Sequence, residues 1–231
     1  RYTHMAALAT AFEWGRLKMQ ASLLGYFVHE KVERFEARPD KAVATPAFFG
    51  SFKVLKNHDL SVRAFYKRMF RMPTFNDLYY TDMGNAFLKP EYAEQFNVGL
   101  KYARDFERSP FMRMLDVSVD AYYNKITDKI IAYPKGQQFR WTMLNLGEVE
   151  IKGVDAVLNA LFTLGKLEVT TKFQYTYQEA IDITDPADTY YRDQIPYIPW
   201  HSGSAILALF YKGWGLNYSF IYTGPVSYTH L

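Results

Sequence analysis

The sequence predicts an all-β fold, an up-and-down antiparallel sheet of about ten strands. Apolar and polar residues alternate with a period of two, which places them on opposite faces of a strand. Short and long connections alternate between these segments, and aromatic residues, 18% of the 231 residues, concentrate near the segment ends. The expected strands lie near residues 3–12, 17–32, 46–54, 60–71, 95–104, 113–124, 148–161, 167–178, 201–211 and 216–223.

The alternation is clearest in three of these segments. In 113–124 the apolar face begins with Leu115 and the polar face with Asp116, and segments 95–104 and 167–178 follow the same pattern. Helical spacing fits none of the three. In the segment 148–161 the alternation changes phase near Gly153. A β-bulge or kink at that glycine is the simplest explanation.

The connections favour a membrane barrel over a soluble fold. In an up-and-down sheet alternate connections lie at the same end, so the long loops share one end and the short turns share the other. Outer-membrane barrels show this asymmetry, whereas loops longer than about 12 residues are uncommon in soluble domains. The expected long loops are 34–45, 72–94, 125–147 and 179–200, and the expected short turns are 13–16, 55–59, 105–112, 162–166 and 213–215.

The composition agrees with this interpretation. Aromatic residues near strand ends are typical of the interfacial girdles of a barrel, and an aromatic-rich β core is the alternative explanation for them. The apolar runs are far shorter than the roughly 18–20 residues of a membrane helix. We therefore expect part of a transmembrane antiparallel β-barrel, an open sheet as a fragment. Residues 1–225 are assigned to this barrel fragment, while Val226–Leu231 resembles a translated library adaptor and is predicted to be a non-native tail.

Several classes of function find no support. The chain has no cysteine, and its net charge of +3 includes no block of Lys and Arg that would indicate nucleic-acid binding. It contains no Gly-x-Ser-x-Gly elbow, phosphate loop or dinucleotide fingerprint, so we do not expect an enzyme. The histidines lack a paired metal spacing, and no metal site is predicted from them. Asp182, Asp185 and Asp188 could bind calcium, but a solvated acidic loop is the default interpretation.

The most specific pattern of the chain spans Phe70–Glu91. It reads Phe-Arg-Met-Pro-Thr-Phe-Asn-Asp-Leu-Tyr-Tyr from Phe70 to Tyr80, then Gly84-Asn85, then Leu88-Lys89-Pro90-Glu91. Pro73 would end the preceding strand because it cannot donate to a sheet ladder. Asn76-Asp77 and Gly84-Asn85 are turn formers. Pro90-Glu91 would fix the start of the next strand.

Three segments, in this order, resemble the barrels of TonB-dependent outer-membrane receptors. They are the Phe70–Glu91 pattern, Tyr123–Ile130 (Tyr-Asn-Lys-Ile-Thr-Asp-Lys-Ile) and Asn145–Ala156 (Asn-Leu-Gly-Glu-Val-Glu-Ile-Lys-Gly-Val-Asp-Ala). The third is similar to the family's strand that begins with a loop Asn and runs through Lys-Gly-Val-Glu, with Asp155 in place of the commoner Glu. Order and spacing agree over about residues 60–225, and the resemblance is to the cobalamin and siderophore branch.

The resemblance implies a transport function in the outer membrane of a Gram-negative bacterium. This chain would supply ten strands and four external loops of a barrel of roughly 22 strands. A plug domain and the segment that touches TonB would belong to an N-terminal part. The implied substrate is a scarce, bulky nutrient of the iron–siderophore, haem or cobalamin type. Implied partners are outer-membrane lipid, TonB, this nutrient and a surface lipoprotein, with no nucleic acid and no cofactor besides the loop calcium considered above.

The same loops contain the expected functional residues. Aromatic rings at a loop tip can stack on a large planar ligand, so the expected ligand contacts are Tyr79, Tyr80, Phe87 and Asn85. The motif residues expected to shape the structure are Arg71, Pro73, Asn76, Leu78, Gly84, Pro90, Glu91, Gly153 and Asp155. A purely structural role for the whole loop is the competing interpretation.

Two other classes of function stay open at this point. One is a passive porin or an adhesin barrel, which would lack a plug domain. The other is a soluble β-sandwich that serves as a binding module. A sandwich requires the apolar strand faces to meet in one closed core.

Overall fold

The alternating segments form one antiparallel sheet in the computed structural model, which describes residues 1–31, 40–55, 59–80, 83–135 and 140–226. Ten strands lie side by side in chain order, with β1 and β10 at the two edges. The strands are β1 Tyr2–Trp14, β2 Leu17–His29, β3 Lys41–Lys53, β4 Asp59–Arg71, β5 Glu91–Asp105, β6 Met112–Lys135, β7 Arg140–Leu164, β8 Leu167–Asp182, β9 His201–Tyr211 and β10 Trp214–Thr223. One helical turn, α1 (Phe75–Tyr79), lies between β4 and β5. The predicted open, up-and-down sheet of ten strands is confirmed.

The sheet is a single layer. All ten strands belong to it, so their apolar faces do not meet in the closed core that a β-sandwich requires. Large apolar side chains are exposed instead, among them Phe12 at 57%, Val98 at 58% and Leu216 at 62%. The soluble β-sandwich alternative is therefore wrong. Within the described ranges, no helix has the length and apolarity needed to cross a membrane.

The strand register defines an apolar face and a polar face. Cross-strand partners lie on the same face, so the parity of one strand fixes the parity of the next. From β1 to β10 the apolar face carries Phe12, Leu23, Phe48, Val62, Val98, Val119, Leu158, Val169, Leu207 and Leu216. The polar face includes Gln20, Ser51, Arg63, Asn97, Asp120, Asp155, Lys172, Ser204 and Asn217. The alternation predicted for the three clearest segments is confirmed.

Aromatic rings border the apolar face at both ends. Toward the long loops, Phe48, Tyr66, Phe96 and Tyr123 are successive cross-strand partners on β3 to β6 and form what we call the aromatic row. Their neighbouring ring centroids are 6.4, 4.9 and 6.3 Å apart. Toward the short turns the apolar face ends in Trp14, Phe52, Tyr102, Phe162, Tyr211 and Trp214. The border toward the short turns lies at strand ends, as expected, whereas the aromatic row lies within β3 to β6 and not at their ends.

Ion pairs join the strands on the polar face. Arg63 of β4 donates from Nε to Asp120 Oδ1 of β6 at 3.0 Å and makes a second bond to the other carboxylate oxygen. Gly99 of β5 is the register partner of both residues and has no side chain to separate them. Lys101 and Asp116 form a further pair at 3.2 Å. A bidentate Arg–carboxylate contact is among the stronger side-chain hydrogen bonds, so it fixes three neighbouring strands to one another.

The prediction of a third long loop at 125–147 is wrong. β6 continues to Lys135 and β7 begins at Arg140, and the two strands pair as far as Lys135 opposite Arg140. This part of the chain stays paired because loops from elsewhere in the sequence cover its side chains on the side that continues the polar face, as described below. Short turns and long loops otherwise alternate as expected, with residues 72–80, 83–90 and 183–200 at the same end as this hairpin. Residues 32–39 of the first expected loop, and 227–231 of the expected tail, lie outside the described residues.

The predicted bulge at Gly153 is also wrong. Gly153 pairs with Tyr122 on one side and Gln178 on the other, without a change of register. The register of β6 and β7 shifts between Met112 and Met114 instead.

The alternation changes phase at Gly153 because the surroundings of the strand change there. Nearer the short turns, Val154 and Leu158 lie on the apolar face. Beyond Gly153 the same face carries Lys152, while Val149 and Ile151 of the opposite face are buried beneath the loop after β8. The backbone of the strand stays regular. Beyond Gly153, however, the face that was apolar carries a charged side chain, and the opposite face is buried.

Gly153→Ala should destabilise the protein by about 1–3 kcal/mol, the usual cost of overpacking. A Cβ at this position would lie 2.5 Å from the backbone oxygen of Tyr177 and would overlap the Tyr122 ring. Gly50→Ala is the matched control, because no atom lies within 4 Å of its Cβ position. Thermal unfolding of both variants measures the difference. Equal unfolding temperatures for the two variants would show that Gly153 is not crowded.

Candidate functional site

The segment after β4 folds into one helical turn because its local sequence supplies the start signals. Pro73 ends the strand and is almost completely buried. Thr74 caps α1: its Oγ1 accepts from the Asp77 amide at 3.1 Å, and Asp77 Oδ2 accepts from the Thr74 amide at 2.8 Å. This reciprocal pair is a capping box. Asn76 is exposed, and its carbonyl accepts from the Tyr80 amide at 3.2 Å to close the turn.

Apolar side chains fasten this segment to the β6–β7 hairpin. Leu78 and Leu88 are each 2% exposed and pack with the buried Ile130 of β6. Tyr79 and Met143 pack against the same cluster. The motif leucines therefore bury apolar surface against a hairpin that lies some 50 residues further along the chain.

Gly84 and Asn85 form the first clamp of the loop. A Cβ on Gly84 would lie 2.6 Å from the Tyr80 amide nitrogen, so only glycine fits this close return of the chain. Asn85 donates from Nδ2 to the Met143 carbonyl at 3.0 Å, and its Oδ1 accepts from the Phe87 amide at 3.0 Å. Both polar atoms of the Asn85 side chain are used inside the protein, which favours a structural role over the expected ligand contact.

Asn145 of β7 forms the second clamp. Its Oδ1 accepts from the Lys89 amide at 2.7 Å, and its Nδ2 donates to the carbonyls of Lys89 at 3.1 Å and Asp128 at 2.7 Å. The Met143 amide also donates to the Met83 carbonyl at 2.9 Å. Sequence reasoning placed Asn145 in a motif but did not assign it a role, because its partner Lys89 is distant in sequence.

Glu91 fixes the chain where β5 begins. Its Oε2 accepts from the Ile130 amide at 3.1 Å and lies 3.4 Å from the Arg71 guanidinium. Pro90 directly precedes it and is half-buried. Burial lowers the pKa of the nearby Lys129, the Glu91 carboxylate partly offsets this effect, and Arg71 adds to it.

The opposite side of the loop is held by the first residue of the chain. Arg1 donates from Nε to Glu30 at 2.6 Å and from a terminal nitrogen to the Pro73 carbonyl at 3.0 Å. Its guanidinium carbon also lies 5.1 Å from the centre of the Phe75 ring. The loop therefore bridges the long-loop ends of β1 and β2 and the β6–β7 hairpin.

The clamped loop presents aromatic side chains to solvent. Phe87 is 92% exposed, although the neighbouring Leu88 is buried and Asn85 and Lys89 are held by hydrogen bonds on either side. Tyr80 is 56% exposed. Tyr79 is half-buried, with its ring 6.2 Å from that of Phe75. Of the expected contacts, Phe87 and Tyr80 are thus the residues most available to a ligand.

The other expected motif residues, Gly153 and Asp155, lie away from this loop in the sheet. Asp155 lies on the polar face, and its Oδ1 accepts from Thr176 Oγ1 at 2.7 Å. Gly153 accommodates the Tyr122 ring. Both residues therefore lie within the sheet and not in the loop.

A second loop, residues 183–200, packs on the other side of the β6–β7 hairpin. Gln194 is buried, and its side chain accepts from the Ala180 amide at 2.8 Å and donates to the Ile198 carbonyl at 3.1 Å. Ile195 of the same loop packs with Val149, Ile151 and Ala180. A polar glutamine in a polar loop gave no sequence signal for this buried role.

The three aspartates considered for calcium each stabilise their own local turn. One oxygen of Asp182, Asp185 and Asp188 accepts from the amide two residues later, at 2.8, 2.8 and 3.0 Å. Within the described ranges, no group of three or more His, Asp or Glu side chains is arranged to hold a metal ion. The solvated acidic loop stays the prediction for this segment, with calcium binding as its alternative.

Solved structures share the fold of this chain. The copper transporter OprC superposes with a TM-score of 0.66 at 18% identity, over 96% of this chain and 34% of that protein. The FrpB iron transporter from Neisseria meningitidis gives 0.60 at 14% identity over 95% and 32% of the two chains. The siderophore receptor PirA from Pseudomonas aeruginosa gives 0.52 at 15% identity over 95% and 39%.

Sequence comparison finds closer relatives and a family. The vitamin B12 transporter BtuB of Vibrio vulnificus is 34% identical over 99 residues, and that of Photobacterium profundum is 34% identical over 113 residues. These matches span 43% and 46% of this chain but only 14% and 16% of the transporters. The family described as "TonB dependent receptor-like, beta-barrel" matches residues 12–231. With nearly its whole length matched and its ten-stranded sheet shared by solved members, this chain belongs to the β-barrels of the TonB-dependent receptors.

Proposed function

We propose that this chain forms barrel wall and external loops of an outer-membrane receptor that imports a bulky, scarce nutrient with energy delivered through TonB. Membership of the family supports the transport role. The names of the two BtuB relatives support a cobalamin, and the shared fold of iron, copper and siderophore proteins supports a metal chelate. The substrate class is therefore an iron–siderophore, haem or cobalamin.

The two faces of the sheet fit this placement. The apolar face, bordered by aromatic rings, matches the lipid-facing band of a barrel with its interfacial girdles. The polar face carries the Arg63–Asp120 and Lys101–Asp116 pairs and would line the wet interior, where a plug domain packs. The long loops and the β6–β7 hairpin would then face the outside of the cell.

The observation that carries the ligand site is the exposure of Phe87 on a rigid loop. A ring that is 92% exposed adds little to the packing of the protein itself. The clamps through Asn85 and Asn145 fix its backbone before any ligand arrives. With the backbone already fixed, only the two side-chain torsions of Phe87 lose freedom on binding, so the loss of conformational entropy is small. It suits the flat face of a porphyrin, corrin or aromatic chelate.

Uptake by the intact receptor tests the transport proposal. Cells that express it with and without TonB receive radiolabelled cyanocobalamin, haemin or a ferric hydroxamate in separate assays. We expect at least one of the three to accumulate only when TonB is present. Uptake that is equal without TonB would instead identify a passive pore, and the absence of any uptake would favour an adhesin.

Phe87→Ala should weaken binding of the imported nutrient by about two- to twelvefold, since a stacking contact contributes roughly 0.5–1.5 kcal/mol. Equilibrium binding to the purified receptor measures the change. The control is Phe111→Ala, which removes an exposed ring at the short-turn end of the sheet. Unchanged affinity in the Phe87 variant, or the same loss in the control, would exclude Phe87 as a ligand contact.

Asn145→Ala should loosen the loop without removing a ligand contact. Three hydrogen bonds are lost, at about 1 kcal/mol each, so the Lys89 amide should exchange its hydrogen much faster and the nutrient should bind more weakly. Hydrogen exchange read by mass spectrometry over residues 83–90, together with the binding assay, measures both effects. Asn217→Ala on the polar face of β10 is the matched control. Unchanged exchange over 83–90 would show that Asn145 does not hold the loop.

A further inference from the structure

Two phenylalanines lie opposite each other on the polar face of the sheet. Phe49 of β3 and Phe65 of β4 are cross-strand partners, and they are 41% and 37% exposed. Their partners on the flanking strands, Gln20 of β2 and Asn97 of β5, are polar. Directly opposite side chains of an antiparallel pair lie close enough to interact, so the two rings form one small apolar platform. We call Phe49 and Phe65 the inner aromatic pair.

A lysine without a partner lies next to the inner aromatic pair. Lys67 follows Phe65 by two residues, so the two side chains lie on the same face of β4. Lys67 is exposed, and its cross-strand partners Ala47 and Gln95 carry no charge. Within the described residues, its ammonium group makes no ion pair or hydrogen bond. Lys67 is therefore a cation that is available to an external anion.

The inner aromatic pair and Lys67 border one concave space on the polar face. Its volume is about 380 Å³, which is within the range of small-molecule sites. Gln20, Ser22 and Ala47 complete its lining on this face. The described residues that line it include no carboxylate, so nothing in the lining competes with an anion for Lys67.

The inner aromatic pair lies at the depth of the aromatic row but on the opposite side of the sheet. Phe48 and Tyr66 of the aromatic row are its direct neighbours along the two strands. In the membrane placement of the proposed function, on which this inference rests, the pair therefore lines the outer mouth of the barrel interior. The Arg63–Asp120 ion pair lies closer to the short turns. A nutrient that leaves the external loops would reach the inner aromatic pair before it reaches that ion-paired part of the wall.

We propose that the inner aromatic pair and Lys67 form a subsite for an anionic aromatic group of the imported nutrient. The rings stack on the flat face of that group, and the ammonium group pairs with its phenolate or carboxylate oxygens. Among the substrate classes proposed above, ferric catecholates and haem contain such a group. A cobalamin does not, because amides replace the acidic groups around its corrin ring.

Equilibrium binding to the purified intact receptor tests this subsite with four probes: a ferric tricatecholate, haemin, cyanocobalamin and a neutral ferric trihydroxamate. We expect the tricatecholate or haemin to bind most tightly. Lys67→Gln should weaken binding of that probe by about two- to fivefold, and Phe65→Leu by about two- to twelvefold.

The matched controls change residues elsewhere on the polar face. Lys172→Gln removes another exposed lysine, and Phe210→Leu changes a ring that is 49% exposed near the short turns. Tighter binding of a neutral probe, binding of neither anionic probe, or an equal loss in the controls would overturn the proposal.

Two further measurements test whether Lys67 acts through its charge. Lys67→Arg should keep the affinity, and added salt should reduce the advantage of the unmodified receptor over Lys67→Gln. If haemin is the preferred probe, esterification of its propionates should abolish that advantage. A lysine that only supports the barrel or its plug would change the binding of all four probes alike, and this result would overturn the proposal.

Uptake with and without TonB separates this inference from the proposed function. A receptor that imports cyanocobalamin only when TonB is present would refute the anionic aromatic subsite and leave the proposed function intact. Uptake of the tricatecholate or of haemin that is equal without TonB, together with the expected binding losses, would instead support the subsite and contradict the proposed function.

Discussion

Strand pairing in register is the constraint on which the rest of this structure depends. Each strand pairs with its sequence neighbours, and each cross-strand pair places two side chains on the same face. A slip of one residue anywhere would put Val119 on the side of Asp120 and expose the wrong set on every later strand. In a membrane the same pairing is obligatory, because lipid offers no partner to a free amide or carbonyl. The pattern of apolar side chains therefore specifies the register, and the backbone hydrogen bonds between strands hold it.

Beyond the aromatic row the strands stay paired, but the positions of polar and buried apolar side chains on the two faces are reversed. The β6–β7 hairpin continues past the rest of the sheet. Residues 72–80 and 83–90 on one side and 183–200 on the other cover the face of the hairpin that continues the polar face. Val149 and Ile151 are only 0% and 7% exposed, while Lys152 on the other face is exposed. A regular strand can thus show a change of phase in its polarity. Such a change can therefore arise from what covers each face of the strand, without a bulge.

Local patterns made the sheet predictable, and non-local contacts limited the rest. The ten strands follow from alternation within each segment. The Thr74–Asp77 capping box is equally local, although the sequence analysis expected only a turn there. The long hairpin could not be predicted, because its burial depends on Leu78 and Leu88, far away in sequence. The role of Asn145 likewise depends on Lys89, 56 residues before it. Gly153 was identified as special, but the Tyr122 ring that requires a glycine there lies on the neighbouring strand.

The clamped loop separates the residues that hold its shape from those that can meet a ligand. Between Asn85 and Lys89, Leu88 is buried and both ends are hydrogen-bonded, while Phe87 projects outward with almost no contact to the protein. Most of the clamping hydrogen bonds run to backbone atoms of Met143, Lys89 and Asp128, so they do not depend on which side chain occupies position 87. The fold therefore supports the loop independently of that ring. Position 87 is therefore the place in this loop where a different side chain would disturb the fold least.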